Sequence, residues 1–109
     1  MSQTTIEPGG TVIKDPNAAR EYQFDYDDLL EAGAILTSYP VTAHDPTTDA
    51  ALATITIGTP ALASGSRKVD VLISGGTLGV TYRIRCTATS NTSPAGIEPR
   101  SFLITIALQ

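Results

Sequence analysis

The sequence is poor in the residues from which most active sites are built. Its 109 residues include one cysteine, one histidine and no tryptophan. A single cysteine excludes an internal disulfide framework and any metal site that needs several cysteines. A single histidine excludes a pair of imidazole metal ligands, and any serine-type triad would have to use that one residue. No apolar run approaches the roughly 20 residues of a membrane-spanning helix. We therefore expect no membrane association.

Charged residues are also scarce, at 17%, and the net charge is -4 at pH 7. This acidic balance disfavours nucleic acid as a partner. Residues 1–54 carry nine acidic and two basic side chains (-7), whereas residues 55–109 carry two acidic and five basic ones (+3). Two poles of opposite sign would orient neighbouring copies or other partners as they dock. Alternatively, the charged side chains only occupy the solvent-exposed faces of the strands and have no role in docking.

Threonine and serine occupy twenty-four positions, and glycine and proline sixteen, a composition typical of an all-β domain. Alternation of apolar and polar residues predicts strands at 20–27, 35–41, 51–57, 68–74, 80–89 and 101–108. Between them, 58–66 and 90–99 are predicted loops, and 28–31 are compatible with one helical turn. The pattern indicates one antiparallel β-sandwich of about seven strands over residues 20–109. Residues 1–19 are predicted to form an extended N-terminal arm or an edge strand.

A glycine turn before the strongest strand sharpens this fold prediction. Gly79 precedes Tyr82, which begins a long alternating strand. This arrangement resembles the tyrosine corner of immunoglobulin-like and fibronectin-III-like sandwiches, in which the hydroxyl bonds to backbone a few residues upstream. The alternative is that Tyr82 is only a core aromatic residue, which leaves the sandwich prediction unchanged.

The residues capable of chemistry are isolated from one another. His44 lies in a turn-rich stretch and is predicted to be a solvated loop residue, while Cys86 falls on the inward face of its strand. The carboxylates of Asp25, Asp27 and Asp28 lack the regular spacing of a calcium loop and the apolar pocket of a catalytic pair. We therefore predict a protein without catalytic activity, cofactor, metal or small-molecule substrate.

Four blocks of the sequence carry a family resemblance: residues 13–17 (IKDPN), 22–26 (YQFDY), 71–84 (VLISGGTLGVTYRI) and 100–106 (RSFLITI). In these blocks the chain resembles small immunoglobulin-like accessory proteins of tailed-bacteriophage and prophage particles. The resemblance implies a structural component of the virion, located on the head, at the head–tail neck or on the tail. It also implies synthesis in the bacterial cytoplasm, which agrees with a start that lacks a signal-peptide pattern.

The implied partners are copies of the same chain and other virion proteins, namely those of the capsid, neck or tail. Arg83, Arg85 and Arg100 would form a small basic patch if the last two strands pair. The candidate assembly contacts are Lys14, Asp15, Asp25, Asp27, Arg83, Arg85 and Arg100. The alternative function is a surface adhesion module that binds host carbohydrate, for which exposed aromatic residues such as Tyr39 would be needed.

Overall fold

A computed structural model describes residues 4–5, 10–26, 33–63, 65, 67–91 and 97–108 of the chain. These ranges contain β-strands and turns but no helix, and thus no helix able to cross a membrane. The strands are β1 (Thr4–Thr5), β2 (Thr11–Lys14), β3 (Ala19–Asp25), β4 (Leu36–Ser38), β5 (Val41–His44), β6 (Ile55–Ile57), β7 (Ala61–Leu62), β8 (Lys68–Gly75), β9 (Thr81–Ser90) and β10 (Ile97–Ile106).

The strands form two five-stranded sheets, which confirms the prediction of an all-β sandwich. The β3–β8 sheet has the order β1-β3-β8-β6, and β7 also pairs with β8. The β9–β10 sheet has the order β2-β10-β9-β4, and β5 also pairs with β9. Interior pairings are antiparallel, whereas β1 runs parallel to β3 and β2 parallel to β10. The expected antiparallel architecture did not include these two parallel edges.

The core lies between the inner faces of the two sheets and follows the period-two alternation of the long strands. In β9 every second residue from Tyr82 to Ser90 is buried, and β8 and β10 alternate in the same way. The ring of Phe102 links the sheets, with its centroid 5.3 Å from that of Tyr22 and 5.6 Å from that of Phe24. Each buried aromatic or aliphatic side chain of this size contributes about 1.5–3 kcal/mol to folding.

The predicted strand at 35–41 is divided in two. Pro40 lies between β4 and β5 and has no N–H for the ladder, although its carbonyl accepts a hydrogen bond from Thr87 N at 3.1 Å. The second half, β5, extends to His44. The prediction that His44 is a loop residue was therefore wrong, since it ends a strand.

Three other boundaries differ from the sequence-based expectation. Only Ile55–Ile57 of the predicted strand at 51–57 forms β6, and the predicted loop at 58–66 contains β7. The predicted loop at 90–99 is shorter because β10 already pairs with β9 from Ile97 onward. The helical turn considered at 28–31 lies outside the described residues.

The first nineteen residues supply one short edge strand to each sheet. Thr4–Thr5 lie beside β3, and Thr11–Lys14 lie beside β10. The division of the chain between an N-terminal segment of residues 1–19 and a sandwich of residues 20–109 stays a prediction.

Candidate interaction surfaces

Tyr82 fixes the turn that joins β8 to β9. Its side chain is fully buried, and its hydroxyl accepts a hydrogen bond from the Thr77 N–H at 2.9 Å. The same hydroxyl shares a hydrogen bond with Thr54 Oγ1 at 2.6 Å. Burial raises the pKa of Tyr82, but these hydrogen bonds outweigh burial and hold it below the ordinary value. Thr77 lies five residues upstream of Tyr82, and the assignment of Tyr82 to a tyrosine corner stays a prediction.

Gly79 lies in the same turn and has the left-handed backbone conformation that favours glycine, with φ at 85°. Its N–H donates to the Ile106 carbonyl at 2.8 Å, which ties the turn to the end of β10. The two residues singled out in this turn, Gly79 and Tyr82, thus anchor it to different neighbours.

Lys14 lies inside the molecule rather than on its surface. Its side chain is 0% exposed, and the ammonium donates to the carbonyls of Asp15 at 2.9 Å and Gly75 at 2.7 Å. Because Gly75 ends β8, this contact ties β2 of one sheet to the other sheet. Burial lowers the pKa of Lys14, and the neighbouring Asp15 carboxylate partly opposes that shift. A side chain with no exposed surface offers none to a partner, so we do not carry Lys14 forward as an assembly contact.

Arg100 ties the two sheets together at the other end of β10. Its guanidinium donates to the Asp25 carbonyl at 2.7 Å and lies 5.3 Å from the ring centroid of Tyr26. The Tyr26 hydroxyl in turn donates to the Cys86 carbonyl at 3.0 Å. These contacts join Asp25, the last residue of β3, and the following Tyr26 to the middle of the β9–β10 ladder.

The patch of Arg83, Arg85 and Arg100 expected from the sequence does not form, although β9 and β10 do pair. Arg100 is opposite Cys86 in the ladder, and Cys86 faces the core. Arg83 and Arg85 alternate with the buried residues of β9 and therefore lie on the outer face. The three side chains thus fall on two different sides of one sheet.

The outer face of the β9–β10 sheet around Arg83, Arg85 and Leu103 is called the basic face here. The Arg85 guanidinium pairs with the Asp49 carboxylate at 2.6 Å and holds the pKa of that carboxyl below its ordinary value. Asp49 has φ at 62°, and its carbonyl contacts His44 Nδ1 at 3.2 Å. Within the described residues the Arg83 side chain makes no hydrogen bond or ion pair. The remaining outward positions of β9 and β10 are mostly small and polar: Thr81, Thr87, Thr89, Ser101 and Thr105.

The outer face of the β3–β8 sheet around Glu21, Asp25, Asp70 and Leu72 is called the acidic face here. Asp25 pairs with Lys68 at 3.8 Å, so three carboxylates and one ammonium give this face a net charge of -2. Leu72 is 45% exposed and lies directly opposite Glu21 in the ladder. Counted in the same way, Arg83 and Arg85 with the paired Asp49 give the basic face a net charge of +1, so the two outer faces are of opposite sign.

Three exposed apolar residues lie at one end of the β9–β10 sheet. Ile13 is 55% exposed, Leu78 55% and Leu108 70%. Backbone hydrogen bonds join the same end: Ala107 N donates to the Lys14 carbonyl at 3.0 Å, and Gly79 N bonds residue 106. The sequence places Leu108 in the last predicted strand and Ile13 in the N-terminal arm or edge strand, but it does not show that these side chains are exposed.

The remaining candidate contacts are placed separately. The Asp15 carboxylate accepts a hydrogen bond from Asn17 N at 2.8 Å and so organises the turn after β2. Asp27 lies outside the described residues. The structure therefore brings Arg83 and Arg85 onto one face and Asp25 onto the opposite one, and it does not unite the predicted contacts in a single site.

The described part of the chain holds no group of three or more histidine, cysteine or acidic residues arranged to bind a metal ion. Cys86 is buried, and burial raises the pKa of its thiol to about 11. A thiol of that pKa is almost entirely protonated at neutral pH and is a poor nucleophile. His44 Nε2 shares a hydrogen bond with Thr42 Oγ1 at 2.7 Å, and its Nδ1 contacts the Asp49 carbonyl.

These features define a class: a β-sandwich whose polar side chains either hold the fold together or occupy two broad outer faces. Residues 14–105 match the protein family described as podophage GP4 fiber-tail adaptor protein gp77, and the chain belongs to that family. The matched segment runs from Lys14, the last residue of β2, to Thr105 near the end of β10, and so includes every strand from β3 to β9. No match was found among curated proteins or solved structures.

Membership in this family makes the chain a structural protein of the tailed-phage particle, belonging to its tail. This confirms the predicted function as a virion component. Of the three locations left open by the sequence, head, neck and tail, the family supports the tail.

Proposed function

We propose that this chain joins a fiber to the tail of a podophage particle and acts through protein–protein contacts alone. The observation that carries the proposal is the family match, which extends over residues 14–105 rather than over one local motif. A joint of this kind must bind at least two different components. The basic face, the acidic face and the exposed apolar end give one small domain several separate surfaces for that purpose.

The strand order supports an immunoglobulin-like fold for the adaptor. The order β1-β3-β8-β6 corresponds to strands A, B, E and D of an immunoglobulin sandwich. In the other sheet β4 and β5 together correspond to strand C, β9 to F and β10 to G, and β2 is added beside G. Tyr82 then lies near the start of strand F, the position of a tyrosine corner.

The chemistry of the described residues supports a role without catalysis. Its one thiol is buried, and its one histidine is bound to a threonine hydroxyl and a loop carbonyl. Lys14 and Arg100, which in other settings would be candidates for binding anions, donate to backbone carbonyls. These polar groups are thus engaged in contacts that hold the fold together.

The adhesion alternative has less support. All six aromatic residues of the chain fall within the described ranges, and five of them are at most 1% exposed. The sixth, Tyr39, is partly buried and packs against the core. Sugar-binding surfaces commonly need an exposed aromatic ring, and none of these six provides one.

A conditional knockout of the reading frame in its phage tests the proposal. Particles produced without the chain should have filled heads and tails but no attached fibers in negative-stain electron micrographs. Adding the purified chain to such particles together with purified fiber should restore attachment. Particles that lack the chain and still carry their fibers at normal occupancy would refute the proposed role.

A further inference from the structure

The two outer faces contain matching pairs of side chains with opposite charge. On the acidic face Glu21 lies opposite Leu72 in the β3–β8 ladder. On the basic face Arg83 lies opposite Leu103 in the β9–β10 ladder. Side chains opposite each other in antiparallel strands are about 5 Å apart at Cβ. Each face therefore presents one leucine beside one charged group, and the two charged groups are of opposite sign.

The composition around each pair resembles that of a protein interface. Leu72 is 45% exposed and Leu103 is partly exposed, so each face has an apolar centre. Charged and small polar side chains surround these leucines, which is the usual arrangement of an apolar core and a polar rim. Neither Glu21 nor Arg83 is buried, so both are accessible to a neighbouring molecule.

The shape of the molecule leaves enough area for docking on either face. Its extents are 43 × 33 × 21 Å. Because packed sheets lie about 10 Å apart, the outer faces of the sheets are the broad sides of this slab. Their dimensions are compatible with the roughly 800 Å² per partner that a standard interface buries.

We propose that the acidic face of one copy of this chain docks on the basic face of a second copy. Leu72 packs against Leu103 across this interface, and Glu21 pairs with Arg83. A second copy is the occupant favoured by the charges, because one chain carries both complementary faces. The contact is heterologous, so successive copies form a ring if the rotation between them closes and an open stack if it does not. This self-association does not depend on the identity of the fiber or its attachment to the tail.

Sedimentation equilibrium of the purified full chain tests the proposal. Between about 10 µM and 1 mM protein, the mean mass should rise above the monomer mass of 11.4 kDa in low salt. Raising the ionic strength to about 0.3 M should weaken the association, because exposed charges are then screened. A mass of 11.4 kDa at every concentration and salt level would overturn the proposal.

A matched pair of variants locates the interface. Arg83→Glu should weaken self-association about tenfold or more, since it puts like charges opposite each other. Arg20→Glu makes the same change in net charge at an exposed residue that lies opposite the inward-facing Ile73, away from the acidic face. It should leave the association within about twofold of the original value. Equal effects from the two variants would show that only net charge matters and would refute the assigned surface.

Exchange of the two charges provides the strongest form of the test. Glu21→Arg alone should weaken association as Arg83→Glu does, and the chain carrying both substitutions should recover it. Circular dichroism melting of each variant establishes that it is folded. If the double variant associates no better than the single ones, Glu21 and Arg83 do not pair. Failure here leaves fiber attachment unaffected, because the knockout experiment measures that role independently.

Discussion

Replacing Tyr82 with phenylalanine removes one oxygen atom from the centre of the turn between β8 and β9. The ring would remain packed in the core, where the residue is 0% exposed. The hydrogen bonds to the Thr77 N–H and the Thr54 hydroxyl, at 2.9 and 2.6 Å, would both be lost. The variant therefore measures the hydrogen bonds of the corner separately from the burial of its aromatic ring.

The size of the effect follows from those two bonds. An intramolecular hydrogen bond contributes about 0.5–1.5 kcal/mol net, and an unsatisfied buried partner costs more. Thr54 and Thr77 are themselves exposed, so water can replace part of what is lost. We expect the free energy of unfolding to fall by about 1.5 kcal/mol, taking the lower part of the range for both bonds. For a domain of this size, that corresponds to a fall in Tm of roughly 6 °C.

Chemical denaturation monitored by circular dichroism, with a thermal melt in parallel, measures this change. Tyr39→Phe is the matched control, because Tyr39 packs against the core and its hydroxyl makes no hydrogen bond within the described residues. We expect the control to change stability by less than about 0.5 kcal/mol. If Tyr82→Phe is no more destabilising than Tyr39→Phe, the tyrosine-corner assignment is refuted.

Three further perturbations test other parts of the fold. Lys14→Met keeps most of the side-chain volume but leaves two carbonyls without their donor, so the free energy of unfolding should fall by about 2 kcal/mol. An unchanged midpoint of chemical denaturation would contradict the structural role assigned to Lys14. Gly76→Ala places a Cβ only 2.7 Å from the Ile106 side chain at a residue with φ at 102°, whereas Gly33→Ala places one in open space at a residue with φ at 81°. In the same assay Gly76→Ala should therefore be the more destabilising of the two, by about 1 kcal/mol or more. The pKa of Cys86 is raised from 9.0 to about 11, so the folded state retains a proton that the unfolded state loses, and stability should fall as pH rises through this interval. Urea titrations at about pH 8 and pH 10 should show this fall, and Cys86→Ala should reduce it; an equal fall in the variant would assign the effect to other groups.

The long strands could be predicted from the sequence because their alternation is uninterrupted. Tyr22 and Phe24, the valines of β8 and the residues from Tyr82 to Ala88 all face the core as the period of two requires. The short strands were harder to predict, since β7, for example, has only two residues and is defined by its pairing with β8. No local pattern specifies such a strand, and its formation depends on a neighbour already in place.

Side-chain roles were harder to predict than strands. Lys14 bonds to a carbonyl 61 residues away, and no local signal distinguishes such a lysine from an exposed one. The position of Arg100 could have been found, because it shares the parity of Phe102 and Ile104, which face the core. Asp49, the partner of Arg85, lies in a loop closed by local hydrogen bonds, but it is the pairing of β5 with β9 that places this loop beside Arg85. The opposite charges of the two halves of the sequence were visible from composition, but which charged side chains share an outer face follows from the order of strands in the sheets.

The position of this chain in the phage particle is the most direct test of the account. Cryo-electron microscopy of the intact particle should resolve β-sandwich density of this size between the base of a fiber and the tail, in contact with both. The account predicts density there in copies related by the symmetry of the tail. Density on the capsid surface, or a complete fiber–tail joint with no density for this chain, would contradict it.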